Sequence, residues 1–377
     1  MKFILKIFSF LLLSFYISVS AQKVPVDSLM KKAYNEIYDN PDNAIKIGKN
    51  LLKKDHEINT SIKIYMLLST ANIAKRNFDE SLKYILKAKE LSQKTNDVKN
   101  QASVLVAVAI QYQQMELFSK SLETLNEAAL YLAKVPENSP EKYIETARSY
   151  AIRGMIYKSQ SNSEIALEKF LTSLQNFEKV PLQKMTYSNV SVVYYNIGYC
   201  YLNLNQIDKA QHAFLQSVNY AQKNHAKSLE AFALKGMAEM HKQKREHQTA
   251  VNLLQKAESL SKNTGDIVLN EGIYKEMADN HLALGRQDFY QLYNKKYFEM
   301  RFKRKENELI SINQVINNHN KETSIKSKEI KSYYSNVMII SAIAGAIIIA
   351  VLLYLILKIK KLNNKHQKEI QHIIRTS

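Results

Sequence analysis

Two stretches of this chain repeat each other position by position. Tyr150, Gly154, Tyr157, Ala166, Phe170 and Ser173 are matched 44 residues later by Tyr194, Gly198, Tyr201, Ala210, Phe214 and Ser217. A constant internal pattern at a slowly varying period marks an array of helix pairs, because one pair cannot bury its own apolar face and must stack on its neighbours. The pattern runs from near Asp27 to about Met300. Eight glycines and five prolines in 377 residues favour helix throughout, and no stretch suggests a strand. The length suits a single array, since each unit touches only the next.

The small residue of each second helix gives an anchor: Ser81, Ser121, Ala166, Ala210 and Ala250. Ile85, Leu125, Phe170, Phe214 and Leu254 follow at plus four, and Ala88, Ala128, Ser173, Ser217 and Ala257 at plus seven. Ala44 and Tyr290 mark degenerate units at the two ends, where an array is capped. Gly or Ala at 154, 198, 238 and 278 lets two backbones approach while bulky neighbours fill the adjoining holes. Pro136, Pro140 and Pro181 fall between helices. Short polar segments such as Arg76-Asn77-Phe78-Asp79, Ser161-Asn162-Ser163, Leu204-Asn205-Gln206 and Leu284-Gly285-Arg286 read as turns.

These residues resemble the tetratricopeptide repeat (TPR), which asks for a large residue, Leu-Gly and Tyr in its first helix and a small–aromatic–small series in its second. The resemblance implies an all-α solenoid, with antiparallel helix pairs in a right-handed superhelix and about seven pairs over residues 22–300. The anchors here lie 37 to 45 residues apart, against roughly 34 for that family, so longer helices are expected. In such arrays the first helix of each pair lines a concave face that binds peptides or proteins. Carried onto this chain, the contact residues are Gln113, Arg148, Lys158, Tyr195, Asn196, Tyr199, Lys235 and Lys242, with Gln114, Glu239, Lys275 and Asp279 beside them. Tyr and Arg are the side chains that most often dominate a binding surface, and the lysines suit carboxylates of an extended peptide. Only fragments of the family's carboxylate clamp, a set of Lys and Asn on consecutive repeats, are present.

Two apolar segments frame the array. Residues 1–21 combine Lys2 and Lys6, an apolar stretch and Val19-Ser20-Ala21, the pattern of a signal peptide cleaved after Ala21; an uncleaved anchor is the alternative. Residues 337–357 contain no charge, and thirteen of them are Ile, Leu or Val. As a helix they span about 31 Å, close to the hydrocarbon thickness of a bilayer. Insertion is worth on the order of 4 to 8 kcal/mol as an upper bound. Tyr333 and Tyr334 precede this span and Lys358, Lys360 and Lys361 follow it, so the tail 358–377 is expected in the cytoplasm and the array outside. The chain is therefore expected to cross a membrane once with the array outside.

Between array and span, residues 301–336 read as a polar helical connector with an apolar seam of Leu309, Ile312 and Ile316. In the tail, Ile359, Leu362, His366, Ile370 and Ile373 fit the spacing of a coiled-coil start, and its six cations equally fit anionic lipid headgroups. The formal charge of +18 reads mainly as lysines solvating helix faces. Cys200, the single cysteine, allows no internal disulfide and reads as a buried thiol. The nine histidines form no HExxH or metal spacing, and no P-loop, GxGxxG or GxSxG occurs. His241 and His281 take the Tyr position of their repeats and read as packing residues. Glu306 and Glu308 read as solvated charge on a polar helix. No enzyme activity, metal, cofactor or direct nucleic-acid binding is expected.

The order of signal, outer TPR array, single span and helical tail resembles the membrane-bound TPR regulators of Gram-negative bacteria, and the resemblance implies an inner membrane and a periplasmic array. Their tails lead to a DNA-binding or histidine kinase domain, and neither is found before Ser377. The expected function is a membrane-anchored binding module, the input half of an envelope signalling system, with a peptide or protein in the groove, the bilayer at 337–357 and a cytoplasmic partner or self-association at the tail. The alternatives are a static scaffold for an envelope assembly and, more distantly, a truncated transcriptional regulator or kinase.

Overall fold

The computed structural model describes residues 25–37, 40–181 and 184–376, so the signal-like segment 1–21 lies outside the described residues. The chain divides into two compact units, Met1–Asn313 and Gln314–Ser377. All regular structure among the described residues is helical.

The first unit is built from pairs. Helices α1 (Val26–Glu36) and α2 (Pro41–Leu51) form the first, α3 (Ile58–Ala74) and α4 (Phe78–Gln93) the second, and α5 (Val98–Gln114) and α6 (Phe118–Leu132) the third. Then come α7 (Pro140–Ser159) with α8 (Ser163–Phe177), α9 (Lys184–Asn203) with α10 (Ile207–Lys223), and α11 (Lys227–Gln243) with α12 (His247–Ser261). Helix α13 (Ile267–Ala283) pairs with the beginning of α14 (Gln287–Thr376) through Tyr274, His281, Phe289 and Tyr293. First helices touch the first helices of the next pair, whereas second helices up to α12 touch no second helix. The first helices therefore make an inner layer and the second helices an outer one, the layering of a TPR-type solenoid.

The fifteen anchor residues are all fully buried, from Ser81, Ile85 and Ala88 to Ala250, Leu254 and Ala257. Their small members let the helices close. A Cβ on Gly154 would lie 2.7 Å from the Phe170 ring, and one on Gly198 2.6 Å from the Phe214 ring. Gly236, from the following pair, closes on the same Phe214 ring. The buried anchor serines do not leave a hydroxyl unpaired: Ser121 donates to the Ala109 carbonyl at 2.8 Å, and Ser173 to that of Ala147 at 2.7 Å. A buried hydroxyl needs such a partner, because an unmade bond costs more than a made one contributes.

Every turn within a pair from the second onward uses one left-handed residue: Arg76, Glu116, Ser161, Asn205, Arg245 and Gly285, with φ between 58° and 69°. The next N–H then reaches back to the first helix, as Asn162 N does to the Tyr157 carbonyl at 2.9 Å. This is the Schellman-type ending that satisfies otherwise unpaired carbonyls. Pro140 differs from its expected place between helices. It begins α7, where a first-turn N–H has no intrahelical acceptor and proline loses nothing.

The second unit is helical, and its apolar side chains, Val337 to Leu357 among them, are exposed. It holds the one segment among the described residues, Ser327–Lys368, long and apolar enough to cross a membrane. The expected seam residues Ile312 and Ile316 and the tail residue Ile373 have side chains outside the described set.

Candidate functional site

The inner layer carries charge at helix positions that the outer seam does not use. Tyr195, Asn196 and Tyr199 come from α9, Lys158 from the end of α7 and Lys235 with Glu239 from α11, and the structure brings these six together. Tyr195 and Tyr199 meet edge to face at 4.9 Å, and Phe214 and Phe232 wall them in at 5.3 Å from Tyr199 and 5.6 Å from Tyr195. Tyr199 donates to Glu239 Oε1 at 2.7 Å, and Lys235 Nζ bonds both the Tyr199 hydroxyl, at 2.9 Å, and Glu239. Burial opposes the charge on Lys235, yet the Tyr195 and Glu239 oxygens keep its pKa above the ordinary lysine value. Burial also lifts the Tyr199 phenol well above the usual range.

Lys158 is different. Its Nζ donates to Asn196 Oδ1 at 2.5 Å and lies 5.7 Å and 5.4 Å from the Tyr195 and Tyr199 ring centres. Among the described residues no carboxylate forms an ion pair with it, and Glu239 acts on it only from a distance. Burial pushes its pKa down to about 8, and the neighbouring Lys235 acts in the same direction. The two aromatic faces offset only part of that desolvation.

One repeat further on the charges balance. Lys242 Nζ meets Glu276 at 2.5 Å and Asp279 at 3.3 Å, and Lys275 meets Asp279 at 3.2 Å. Glu276 is itself buried, which raises its carboxyl pKa, with Glu239 adding to the shift. Of the expected contact residues, Arg148 is neutralised on its own helix by both oxygens of Glu145 at 2.8 Å, and Gln113 accepts from Gln114 at 2.8 Å. Neither joins the Lys158 cluster by a bond or ring contact. Asn196 corrects an expectation: it is 4% exposed, with its amide held by the Val192 carbonyl at 2.8 Å and its oxygen by Lys158, so it shapes the cluster from beneath.

Sequence spacing missed Phe214, Phe232 and Glu276 as parts of this face. Phe232 and Glu276 fall on the first-helix stripe that already held Lys235 and Asp279, so tracing the stripe through each repeat would have found them. Cys200 is buried, its thiol pushed up to about 11, and Lys158 opposes the shift only weakly. His281 is stacked against Phe289 at 4.9 Å and Tyr293 at 5.6 Å, and burial lowers its pKa. Among the described residues no group of three His, Cys, Asp or Glu side chains is placed to hold a metal.

The tetratricopeptide-repeat family model matches residues 62–95 and 192–224, the second match spanning the Tyr195–Tyr199 helix and the Phe214 helix that packs on it. The first unit is thus a TPR-type helical-repeat solenoid. Solved structures with the same fold include NprR in complex with its cognate peptide NprX, at 12% identity and a TM-score of 0.53, covering 78% of this chain and 83% of that one. The apo form of the quorum sensor NprR from B. thuringiensis is similar at 15% identity and a TM-score of 0.53, covering 77% and 84%. At such identities the likeness shows the fold alone. No curated protein matches the sequence.

Proposed function

We propose that the chain is a membrane-anchored binding module that takes a peptide or protein segment on its inner face, with a carboxylate of that ligand beside Lys158. The reading rests on one observation: each neighbouring lysine of this face is ion-paired with a carboxylate, and Lys158, half-buried beside two tyrosines, is not. An ammonium kept in low dielectric without a counter-ion costs folding free energy. An incoming anion relieves it. Tyr195, Tyr199 and Lys235 form the walls of that subsite, Lys242 extends it, and Arg148 and Gln113 mark the earlier repeats along the same face. NprR, of the same fold, has been captured in complex with its cognate peptide, which supports a peptide as the ligand.

Residues 337–357 anchor the module in the bacterial inner membrane, with the array in the periplasm and the basic tail in the cytoplasm, and ligand capture is signalled through the connector. The exposed apolar side chains of this segment support the anchoring. A photo-crosslinking residue placed at Tyr199, and one at Leu215 on the exposed outer layer, tests the reading in cells. Discrete ligand adducts from position 199 and none from 215 are expected; equal patterns from both faces overturn it. External protease should digest the array and leave the tail intact, and the reverse outcome inverts the topology.

A further inference from the structure

Contacts in an array of this kind are local. Apart from one place, side-chain hydrogen bonds among the described residues join positions no more than 42 apart in sequence, as between Lys99 and Glu141. The exception joins Arg76, in the turn of the second pair, to Glu308 near the end of the first unit, 232 residues away. Arg76 Nε lies 2.8 Å from Glu308 Oε1, and Arg76 Nη2 approaches the same oxygen at 2.5 Å.

The other oxygen of Glu308 takes Arg304 Nη1 at 2.9 Å. Arg304 in turn grips Glu271, at the start of α13, through two bonds of 2.5 and 3.1 Å. On the far side Arg76 Nη1 reaches Gln114 at 3.2 Å, and its guanidinium lies 4.5 Å from the Phe78 ring centre. A single relay therefore runs from the second and third pairs, through one carboxylate, to the last. The four charged side chains are between 12% and 25% exposed. This corrects the expectation that Glu308 is solvated.

Around the relay no hydrophobic core cluster of the described residues spans both ends: the first-repeat cluster runs from Met30 to Ala71 and the last from Ala231 to Met277. The Gly265 backbone, before α13, comes so close to Pro41, at the start of α2, that a Cβ there would sit 3.0 Å from the proline ring. The superhelix has thus completed a turn and touches itself. Stacked repeats hold each other by buried seams, which open only by unfolding. A junction made of charge-assisted bonds is directional and reversible.

We propose that Arg76–Glu308 is a latch that closes the array into a ring, and that its release separates the first repeats from the last while Arg304–Glu271 keeps α14 docked on α13. The proposal stands apart from the ligand reading, because it concerns the ends of the array and not its inner face. In the ring the part of α14 that carries Arg304 and Glu308 is tied to both ends of the array. Once unlatched, that part follows the last repeat alone.

The test uses the full chain in lipid nanodiscs, with spin labels on two exposed pairs. Lys46→Cys with Lys262→Cys reads the ring junction, and Lys262→Cys with Lys305→Cys reads the docking of α14 on the last repeats; buried Cys200 stays unlabelled. With Glu308→Ala or the near-isosteric Glu308→Gln, the first pair should shift by several ångström to longer, broader distances and the second pair stay unchanged. Arg76→Ala should give the same shift, and combining it with Glu308→Ala should add nothing. An unmoved first pair in both Glu308 variants, with helical content intact, overturns the latch. So does an equal change in both pairs, which would mean local unfolding.

Discussion

The seam between the two helices of a pair and the face turned toward the inside of the array follow opposite rules. Along the seam the same positions recur in pair after pair, all fully buried, with glycines placed where rings press. On the inner face neighbouring repeats differ: a balanced Lys242–Glu276–Asp279 group lies near Lys158, which has no ion pair. The seam is constrained by packing density, where a methylene too many or too few is felt. The inner face is free of that constraint, so departures from balance there need another cause. In a repeat protein, function is sought where the repetition stops.

The largest expected effect breaks the seam. Phe214 fills the space between Gly198 and Gly236, so Phe214→Ala removes buried area and leaves a cavity that two glycine backbones cannot close. A loss of about 3 to 5 kcal/mol is expected, read as a lower midpoint in urea with the slope unchanged. Tyr199→Ala, one layer inward, should lose clearly less. Equal losses would erase the distinction between seam and face.

Next is the pair that holds the face in shape. Lys235→Met leaves Glu239 with only the Tyr199 hydroxyl, in surroundings that already penalise charge. A destabilisation of about 1 to 3 kcal/mol follows. Glu239→Gln in the same background should recover much of it, because the orphaned charge is gone. If the second substitution adds its own loss instead, the pair is not coupled.

Lys158 gives the opposite sign. Its pKa is pushed down to about 8 from the ordinary 10.5, so between those values the unfolded chain holds a proton that the folded one has lost. Stability from this group therefore rises with pH across that window and is at its lowest below it. Lys158→Met should flatten that rise and, near neutral pH, stabilise the protein on the order of 1 to 2 kcal/mol. A residue whose removal stabilises the fold and abolishes ligand crosslinking is kept for binding. A destabilised Lys158→Met would remove the argument for an anion subsite.

Most of the fold was legible because the seam is written in small residues at fixed offsets: Ser81 or Ala166, Ile85 or Phe170, Ala88 or Ser173. The inner face was legible in part. Its stripe follows from helical spacing, which places Lys158, Tyr195, Tyr199, Lys235 and Lys242 on the first helices of their pairs. Spacing does not say which charges cancel, and so Arg148 reads as available in the sequence although Glu145 neutralises it from three positions away. The Arg76–Glu308 contact carries no local signal at all. It depends on how far the superhelix turns, a property of accumulated small angles between pairs. That is why Glu308 reads as solvated in the sequence and is half-buried in the molecule.

The smallest effect concerns the turns that join seam to face. Five of the six pairs with a left-handed turn residue place a side chain where glycine would be unstrained, Ser161 among them at φ 60°. Ser161→Gly relieves about 1 kcal/mol of steric strain in the folded state and gives part of that back through the greater freedom of the unfolded chain. A net gain of roughly 0.5 kcal/mol is expected, measurable as a slightly raised thermal midpoint. Gly285→Ala, the same turn in the last pair, should lose a similar amount: a Cβ there meets nothing within 4 Å, and only the φ of 69° opposes it. Arg76→Gly is the discriminating case. The backbone gain should appear there too, but losing the guanidinium that holds Glu308 should outweigh it, so the same substitution at equivalent turns changes sign between Ser161 and Arg76.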